Sequence, residues 1–434
     1  MRQILLHHQE HMTQAAVLDG GELIEFYVER GAGRQWVGNI YLGRVVNVLP
    51  GMQAAFVDIG EGKNAFLHVD DVLPANPERR QGKKPSIATL LRSGEPLLVQ
   101  VMKEPLGSKG ARVTTHFSLP GRYLVYMPHA GYIGISKKIE PEEARARLRA
   151  LGEQLCQGEE GFILRTAAAA AEHRALERDV AALRELWARI RESAREGTAP
   201  CEIHCEAGLP QRMIRDMLTM RSDELWTDEP GRFEEAVRMV RELAPGLEAS
   251  VRLHAAADGH SLFERFGIHA QLETAFAKRV RLPSGGLLVL EQTEALTVID
   301  VNTGRFIGGH DLEDTVYRTN LEAAVVIARL LRLRDIGGIV IVDFIDMTQE
   351  AHRERVRLEL EERTRTDRAK CHVVGWTRLG LLELTRKKVR ASGMTQLPDC
   401  CPACDGTGRV AESAAHRAAL DKSGDAPGAS SFIS

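Results

Sequence analysis

Asp300 and Asn302 lie two residues apart in the run Val298-Ile299-Asp300-Val301-Asn302-Thr303-Gly304. In a strand, successive side chains alternate faces, so these two polar groups share one side with Val298, while Ile299 and Val301 point to the other. A second carboxylate, Asp343, sits near the end of the apolar run Ile341-Val342-Asp343-Phe344-Ile345-Asp346. An unpaired carboxylate inside such a strand is costly to desolvate. A hard, oxygen-preferring Mg²⁺ shared by Asp300 and Asp343 would offset that cost, orient a water and stabilise charge growing on a phosphate. Asn302 would steady Asp300 or the attacking water. The alternative is that each Asp caps a helix or pairs with one of the many arginines. Asp346 is the weaker acid candidate, because its position also allows it to cap the following helix.

Cys401-Pro402-Ala403-Cys404-Asp405-Gly406-Thr407-Gly408 has the spacing of a zinc knuckle. Two thiolates with two residues between them chelate one Zn²⁺, and the glycines let backbone amides turn toward the sulfurs. A structural zinc wants four ligands, and no second Cys-x-x-Cys exists in the chain. Other residues of the chain, Cys400 among them, would complete the set, or a second copy would supply an identical pair and make the metal a homodimer staple. Two reduced surface thiols are the remaining reading.

The elements that must carry these residues can be read from periodicity and turns. Ala15–Leu18 and Leu23–Val28 flank Asp19-Gly20-Gly21, a hairpin signal. Closely spaced strands follow from Val37 to about Thr115, with turns at Leu49-Pro50-Gly51 and Gly60-Glu61-Gly62, which suggests a small barrel. The polar stretch Pro74–Pro85 reads as a loop. Tyr123–Met127 and Gly161–Arg165 are strand-like, and a charged helix from Ala171 to Arg195 carries Leu176, Val180, Leu183 and Leu186 as one stripe. Arg212–Leu225 and Arg232–Leu243 are expected to be helices.

Between Lys278 and Arg390 the order is strand hairpin (Val280–Leu282, Leu287–Leu290), strand (Leu296–Val301), helix (Thr319–Arg332) and a buried apolar strand (Ile339–Phe344). Leu321, Ala324, Val325, Ala328 and Leu331 form the helix's apolar face, and a charged helix follows from Gln349 to about Arg368. This is the grammar of an α/β sheet, whose strand ends are the usual place for a site. The tail after Val410 has no apolar period and is expected to be disordered.

Composition sets outer bounds. The chain has 434 residues, 44% hydrophobic and 27% charged, enough for several domains. Its net charge of −3 gives no global basic field, so any nucleic-acid site must be a local patch. The start lacks a secretory signal and no apolar run is long enough to span a membrane. Seven cysteines, four of them scattered, suit reduced thiols in a cytoplasmic protein with one metal site.

At this point the motifs resemble a known family. Val298–Gly304, Asn320-Leu321-Glu322-Ala323-Ala324, the stretch Arg332–Met347 and CPACDGTG are similar to the catalytic half of the ribonuclease E/G family. Gly38–Arg44 and Pro50–Gly60 are similar to its RNA-binding barrel, and the matches run in order from about residue 3 to 410. Thr303–Gly308 and the absence of a long C-terminal scaffold favour the ribonuclease G branch.

The resemblance implies an α/β multidomain fold: an RNase H-like subdomain (1–34 plus 212–275), an inserted S1-type OB-fold barrel (35–115), a 5′-sensor subdomain (116–211), a DNase I-like catalytic subdomain (276–395), a zinc-link (396–410) and a disordered tail (411–434). It implies Mg²⁺ at Asp300 and Asp343, with Asn302 assisting, and Zn²⁺ at Cys401 and Cys404. Phe56 and Phe66 match base-stacking positions, and Lys103 and Lys109 match basic positions beside RNA. From the residues alone, two core phenylalanines are the other reading. Arg165, Thr166, Gly121 and Val125 match a pocket for an RNA 5′-monophosphate. Lys137 and Lys370 stand where some members have Arg, which keeps the charge but loses the two-pronged geometry.

The partners so implied are single-stranded RNA (AU-rich segments, rRNA precursors, mRNA) and a second copy joined through zinc. The expected activity is endonucleolytic cleavage leaving 5′-phosphate and 3′-hydroxyl ends. The chain stops about 30 residues after Cys404, where the family usually continues into a further folded segment, which counts against an assembly built on that segment, a tetramer included, and leaves the zinc-shared dimer open. The competing reading is a non-catalytic RNA-binding or assembly protein on the same fold.

Overall fold

The computed structural model describes residues 1–30, 36–72, 85–105, 109–219, 222–255, 259–293, 295–304 and 312–387. Cys401, Cys404, the 411–434 tail and nearly all of the Pro74–Pro85 loop lie outside them. The chain divides into two compact units, Met1–Leu272 and the part from Glu273 onward.

The first unit runs β1 (Arg2–Gln9), β2 (Met12–Asp19), β3 (Glu22–Arg30), β4 (Ile40–Leu49), β5 (Ala54–Asp58), β6 (Ala65–His68), α1 (Ile87–Leu90), β7 (Pro96–Lys103) and β8 (Arg112–Thr114). It continues through β9 (Leu119–Pro120), β10 (Leu124–Met127), β11 (Ile133–Ile135), α2 (Glu142–Leu155), β12 (Gly161–Leu164), α3 (His173–Glu196) and β13 (Cys201–His204). α4 (Leu209–Met217), β14 (Glu224–Thr227), α5 (Pro230–Leu243), β15 (Val251–Leu253), α6 (Leu262–Arg265) and α7 (Ile268–Phe276) follow, the last reaching past the unit boundary.

Three sheets organise these elements. The first has the order β15-β14-β1-β2-β3, with β14 and β15 parallel to β1 and the β2–β3 hairpin antiparallel. Its turn is Gly20-Gly21, both at positive φ (59° and 88°), as a two-residue hairpin of this twist requires. The second sheet closes on itself: β4 pairs with both β5 and β7, giving a five-stranded barrel consistent with an OB-type fold, with β13 attached to β4. Tyr41, Val57, Leu67, Val99 and Val113 fill its core. The third sheet, β11-β12-β10-β9, packs on α3.

The α3 stripe is Leu176, Val180, Leu183, Trp187 and Ile190, with Leu186 at its margin. Each such buried side chain contributes roughly 1.5–3 kcal/mol. One expected helix is cut short. α4 ends at Met217, because Glu224–Thr227 pairs in parallel with β1 and buries Leu225 between the layers. That four-residue pattern is too short to distinguish strand from helix without its partner.

The second unit is one six-stranded sheet, order β16-β17-β18-β19-β21-β20. The strands are β16 (Arg279–Arg281), β17 (Leu287–Gln292), β18 (Leu296–Asn302), β19 (Gly338–Asp343), β20 (Cys371–Trp376) and β21 (Leu382–Arg386), with helices α8 (Leu312–Leu333) and α9 (Glu350–Arg365). α8 begins earlier than its apolar pattern, and its buried face runs through Val316, Thr319, Asn320, Ala323, Ala324, Ile327, Ala328 and Leu331, leaving Leu321 and Val325 at the border. β19 is not wholly buried, as its composition suggested. Val340 and Val342 are at 0% exposure, whereas Ile339 on the other face is 48% exposed. One sheet face therefore carries the core, and the other is open where Asp300 and Asp343 emerge.

Candidate active site

β18 and β19 are parallel neighbours, and their register makes Asp300 and Asp343 direct partners. Alternation along β18 buries Thr297, Ile299 and Val301 and leaves Val298, Asp300 and Asn302 on the open face. Asn302 Nδ2 donates to Asp300 Oδ2 at 2.8 Å. The burial at the strand end, then the charges of Asp300 and Asp346, push the Asp343 carboxyl above its ordinary range. Asp343 lies at the exposed end of β19, and the neighbouring charges of Asp300 and Asp346 add to the effect of burial in disfavouring its ionised form.

Among the described residues no Arg or Lys pairs with Asp300, Asp343 or Asp346, and none of the three caps a helix. Also among those residues, no group of three or more His, Cys, Asp or Glu is placed to hold a metal. Two carboxylates with only oxygen donors, crowded and unneutralised, fit a hard cation that keeps waters in its shell, which is the habit of Mg²⁺. They do not fit a closed zinc cage.

The segment after Asp343 is held from three directions. Asn320, fully buried on α8, donates to the Ile345 carbonyl at 2.8 Å and accepts from the Ile345 N–H at 3.1 Å. Arg353 donates to the Met347 carbonyl at 3.0 and 2.7 Å. Glu313 accepts from the Thr348 hydroxyl (2.7 Å), the Thr348 N–H (3.1 Å) and the Gln349 N–H (3.2 Å), and it contacts His352 Nδ1 (2.9 Å). The Thr348 donors, with His352, hold the Glu313 carboxyl down at about 2. Glu313 thus holds the two residues that lead into α9, the helix that the sequence offered Asp346 to cap. Asn320 and Glu313 were not singled out individually; the available signal was a polar Asn inside an apolar helical face.

On the barrel, Phe56 and Phe66 are direct cross-strand partners with ring centroids 6.0 Å apart and an edge-on angle of 70°. Both are half-exposed, so they are not core residues. The same row continues to Asn47 on one side and to Arg112 and Lys103 on the other. Arg112 is held by Asp71 at 2.8 Å, while Lys103 and Lys109 are exposed. Aromatic faces beside cations are what a single strand needs for stacking and phosphate contact.

Gly121, Val125, Arg165 and Thr166 are brought together around β10 and β12. Val125 pairs with Pro120 and Ile163, and Arg165 donates from Nη1 to the Gly121 carbonyl. Arg165 is also bound by Asp216 at 2.6 Å, and Arg215 bridges Asp216 and the Pro120 carbonyl. A Cβ at Gly121 would lie 2.6 Å from the Asp179 carboxylate, so only glycine fits. Asp179 accepts from the N–H groups of Arg122, Tyr123 and Leu124, yet burial still pushes its carboxyl up. The Thr166 hydroxyl meets that of Ser136 at 3.2 Å, and Lys137 is exposed next to it in sequence. Lys370 belongs to the second unit, where its carbonyl accepts from the Lys387 N–H.

A model described as "Ribonuclease E/G family" matches residues 118–389. The chain is 44% identical to Ribonuclease G of Haemophilus influenzae over 413 residues, covering 94% of this chain and 84% of that protein. It is 43% identical to Ribonuclease G of Escherichia coli K12 over 403 residues, with coverages of 92% and 82%. It is 38% identical to Ribonuclease E of the same strain over 413 residues, which is 93% of this chain but 38% of that longer protein.

Proposed function

The chain belongs to the ribonuclease E/G family, and from that premise we propose that it is an endoribonuclease cutting single-stranded RNA by Mg²⁺-dependent phosphodiester hydrolysis. The observation that carries the reading is the side-by-side register of Asp300 and Asp343 on an open sheet face. Relatives that share most of its length are named Ribonuclease G.

In this reading Asp300 and Asp343 hold the cation, which when bound supplies Lewis acidity and lowers the pKa of a coordinated water. Asn302 uses its Nδ2 on Asp300, which leaves its amide oxygen to orient a water. Water adds to phosphorus, the bond to the 3′ oxygen breaks, and that oxygen takes a proton, giving 5′-phosphate and 3′-hydroxyl ends. Phe56 and Phe66 stack bases, and Lys103 and Lys109 meet phosphates. Arg165, with Thr166, Gly121, Val125 and Lys137, reads a 5′-monophosphate, its guanidinium aimed by Asp216.

We read the β15-β14-β1-β2-β3 sheet as RNase H-like, the barrel as S1-type, the β9–β12 sheet with α2 and α3 as the 5′ sensor, and the six-stranded sheet as DNase I-like. Cys401 and Cys404 share a zinc with a second copy, and elemental analysis should return about half a zinc per chain, the stoichiometry of a two-fold staple. A full zinc would mean an intrachain site.

The decisive assay compares cleavage of 5′-hydroxyl and 5′-monophosphate RNA, with and without chelator. Faster metal-dependent cutting of the monophosphate is expected. Binding without turnover in Mg²⁺ would instead make the protein a non-catalytic RNA binder.

A further inference from the structure

The open face that carries Asp300 and Asp343 extends two strands farther, to the sheet edge. Direct cross-strand partners share a face, and the register runs Asp343–Asp300–Val289–Arg279 in one row and Asn302–Leu287–Arg281 in the next. Burial agrees with this placement: Val280 is 1% exposed, while Arg279 and Arg281 on either side of it are exposed. β16 is an edge strand, so nothing pairs with its outer side within the sheet.

Both arginines lack side-chain hydrogen bonds and ion pairs among the described residues. Two buried arginines of the same unit, Arg334 and Arg386, behave differently. Arg386 is bound by Asp335 (2.8 Å) and Asp367 (2.7 Å), and Arg334 clips the Ala275 and Ala277 carbonyls. Glu291, at the far end of β17, is taken by Lys278 at 2.6 Å. Arg279 and Arg281 therefore project two uncommitted charges over the face where two carboxylates would otherwise repel a polyanion.

We propose that Arg279 and Arg281 are phosphate-binding residues that hold the RNA strand across the sheet, with Leu287 and Val289 forming the apolar floor between them and the acid pair. Their Cα atoms stand roughly 6.7 Å apart along the strand and about 9.6 Å, two strand spacings, from the β18 acid. The first interval suits neighbouring phosphates of an extended chain, and the second is bridged by a nucleotide lying on the aliphatic strip. Guanidinium forks suit phosphate oxygens, and such contacts position without reading sequence. This assignment rests on the reading of Asp300 and Asp343 as an RNA-cutting site.

The test measures binding of an unstructured single-stranded RNA to the full chain in chelator, as a function of salt, for the parent, Arg279→Ala, Arg281→Ala, the double Ala variant and the double Lys variant. Each lost phosphate contact should flatten the slope of log K against log salt by roughly 0.7, about 1.4 for the double variant. The double Lys variant should recover the slope, since charge and not the fork sets counterion release. In Mg²⁺ each single Ala variant should raise KM about tenfold, on the order of one charge-assisted contact, with kcat nearly unchanged and equally for unrelated sequences, and the double Ala variant should raise it further. A parental slope in a double Ala variant that still cuts RNA overturns the assignment alone. A parent that does not cut RNA in Mg²⁺ overturns the hydrolase reading and this assignment with it. Equal melting temperatures across the set separate either outcome from misfolding.

Discussion

The side-chain amide of Asn320 and the peptide of Ile345 satisfy each other completely: Nδ2 donates to the Ile345 carbonyl at 2.8 Å and Oδ1 accepts from its N–H at 3.1 Å. Ile345 lies two residues beyond Asp343, where the chain leaves the sheet and loses ladder partners. A buried backbone group without a partner is costly, so Asn320 sets how the chain departs and hence where Asp343 points.

Asn320→Ala should lower unfolding stability by about 2–3 kcal/mol, because the Ile345 N–H and carbonyl lose their partner together. Urea unfolding reads this, and cleavage should show a lower kcat at unchanged KM. A variant as stable and as fast as the parent would remove Asn320 from any positioning role.

Asp300→Asn and Asp343→Asn each remove one anionic oxygen donor from the crowded pair. Cation stabilisation of a transition state is worth several kcal/mol, so cleavage should fall on the order of 100- to 1000-fold. RNA binding in chelator should persist or tighten, since a repelling charge is gone. Parental rates in both variants would exclude this site.

Glu313 supplies the pH test. Its folded-state value of about 2 lies below the ordinary glutamate range, so the native state favours the carboxylate more than the unfolded chain does. The stabilisation is therefore present above the unfolded value near 4.3 and is lost as pH falls toward 2. The melting-temperature difference between parent and Glu313→Gln should be constant at neutral and mildly acidic pH and shrink across that window. A difference that persists unchanged through the acid limb would contradict the assigned charge.

Phe66→Ala probes the barrel row. Because Phe66 is half-exposed and outside the barrel core, the melting temperature should barely move. RNA affinity should drop by about 1–3 kcal/mol, the range for one base–aromatic stack, with little dependence on sequence. Filter binding on two unrelated single strands checks both parts.

Much of this architecture is local and therefore readable from the chain. The Val298/Asp300/Asn302 face of β18, the Gly20-Gly21 turn and the apolar stripe of α3 are matters of period two, positive φ and period three-to-four. Family motifs extended that reading to Phe56, Phe66 and Arg165, none of which their immediate neighbours would have singled out. The reading ran short where local pattern was ambiguous. Glu224–Thr227 became a strand by pairing with β1, and the charged segment Glu142–Leu155 became a helix with Leu148 and Gly152 as its buried residues.

The amino-acid sequence by itself determined which residues can ionise, stack or ligate, and which side of each strand they share with their near neighbours, because alternation and turn chemistry are properties of a few consecutive residues. Tertiary structure alone decided that Asp300 stands opposite Asp343, that Asn320 and Glu313 grip the segment beyond, and that Arg279 and Arg281 look out over the same face. Those are consequences of strand order, register and which sheet face the helices cover. Register between distant strands is set by the packing of whole layers, and no short stretch of sequence contains that information.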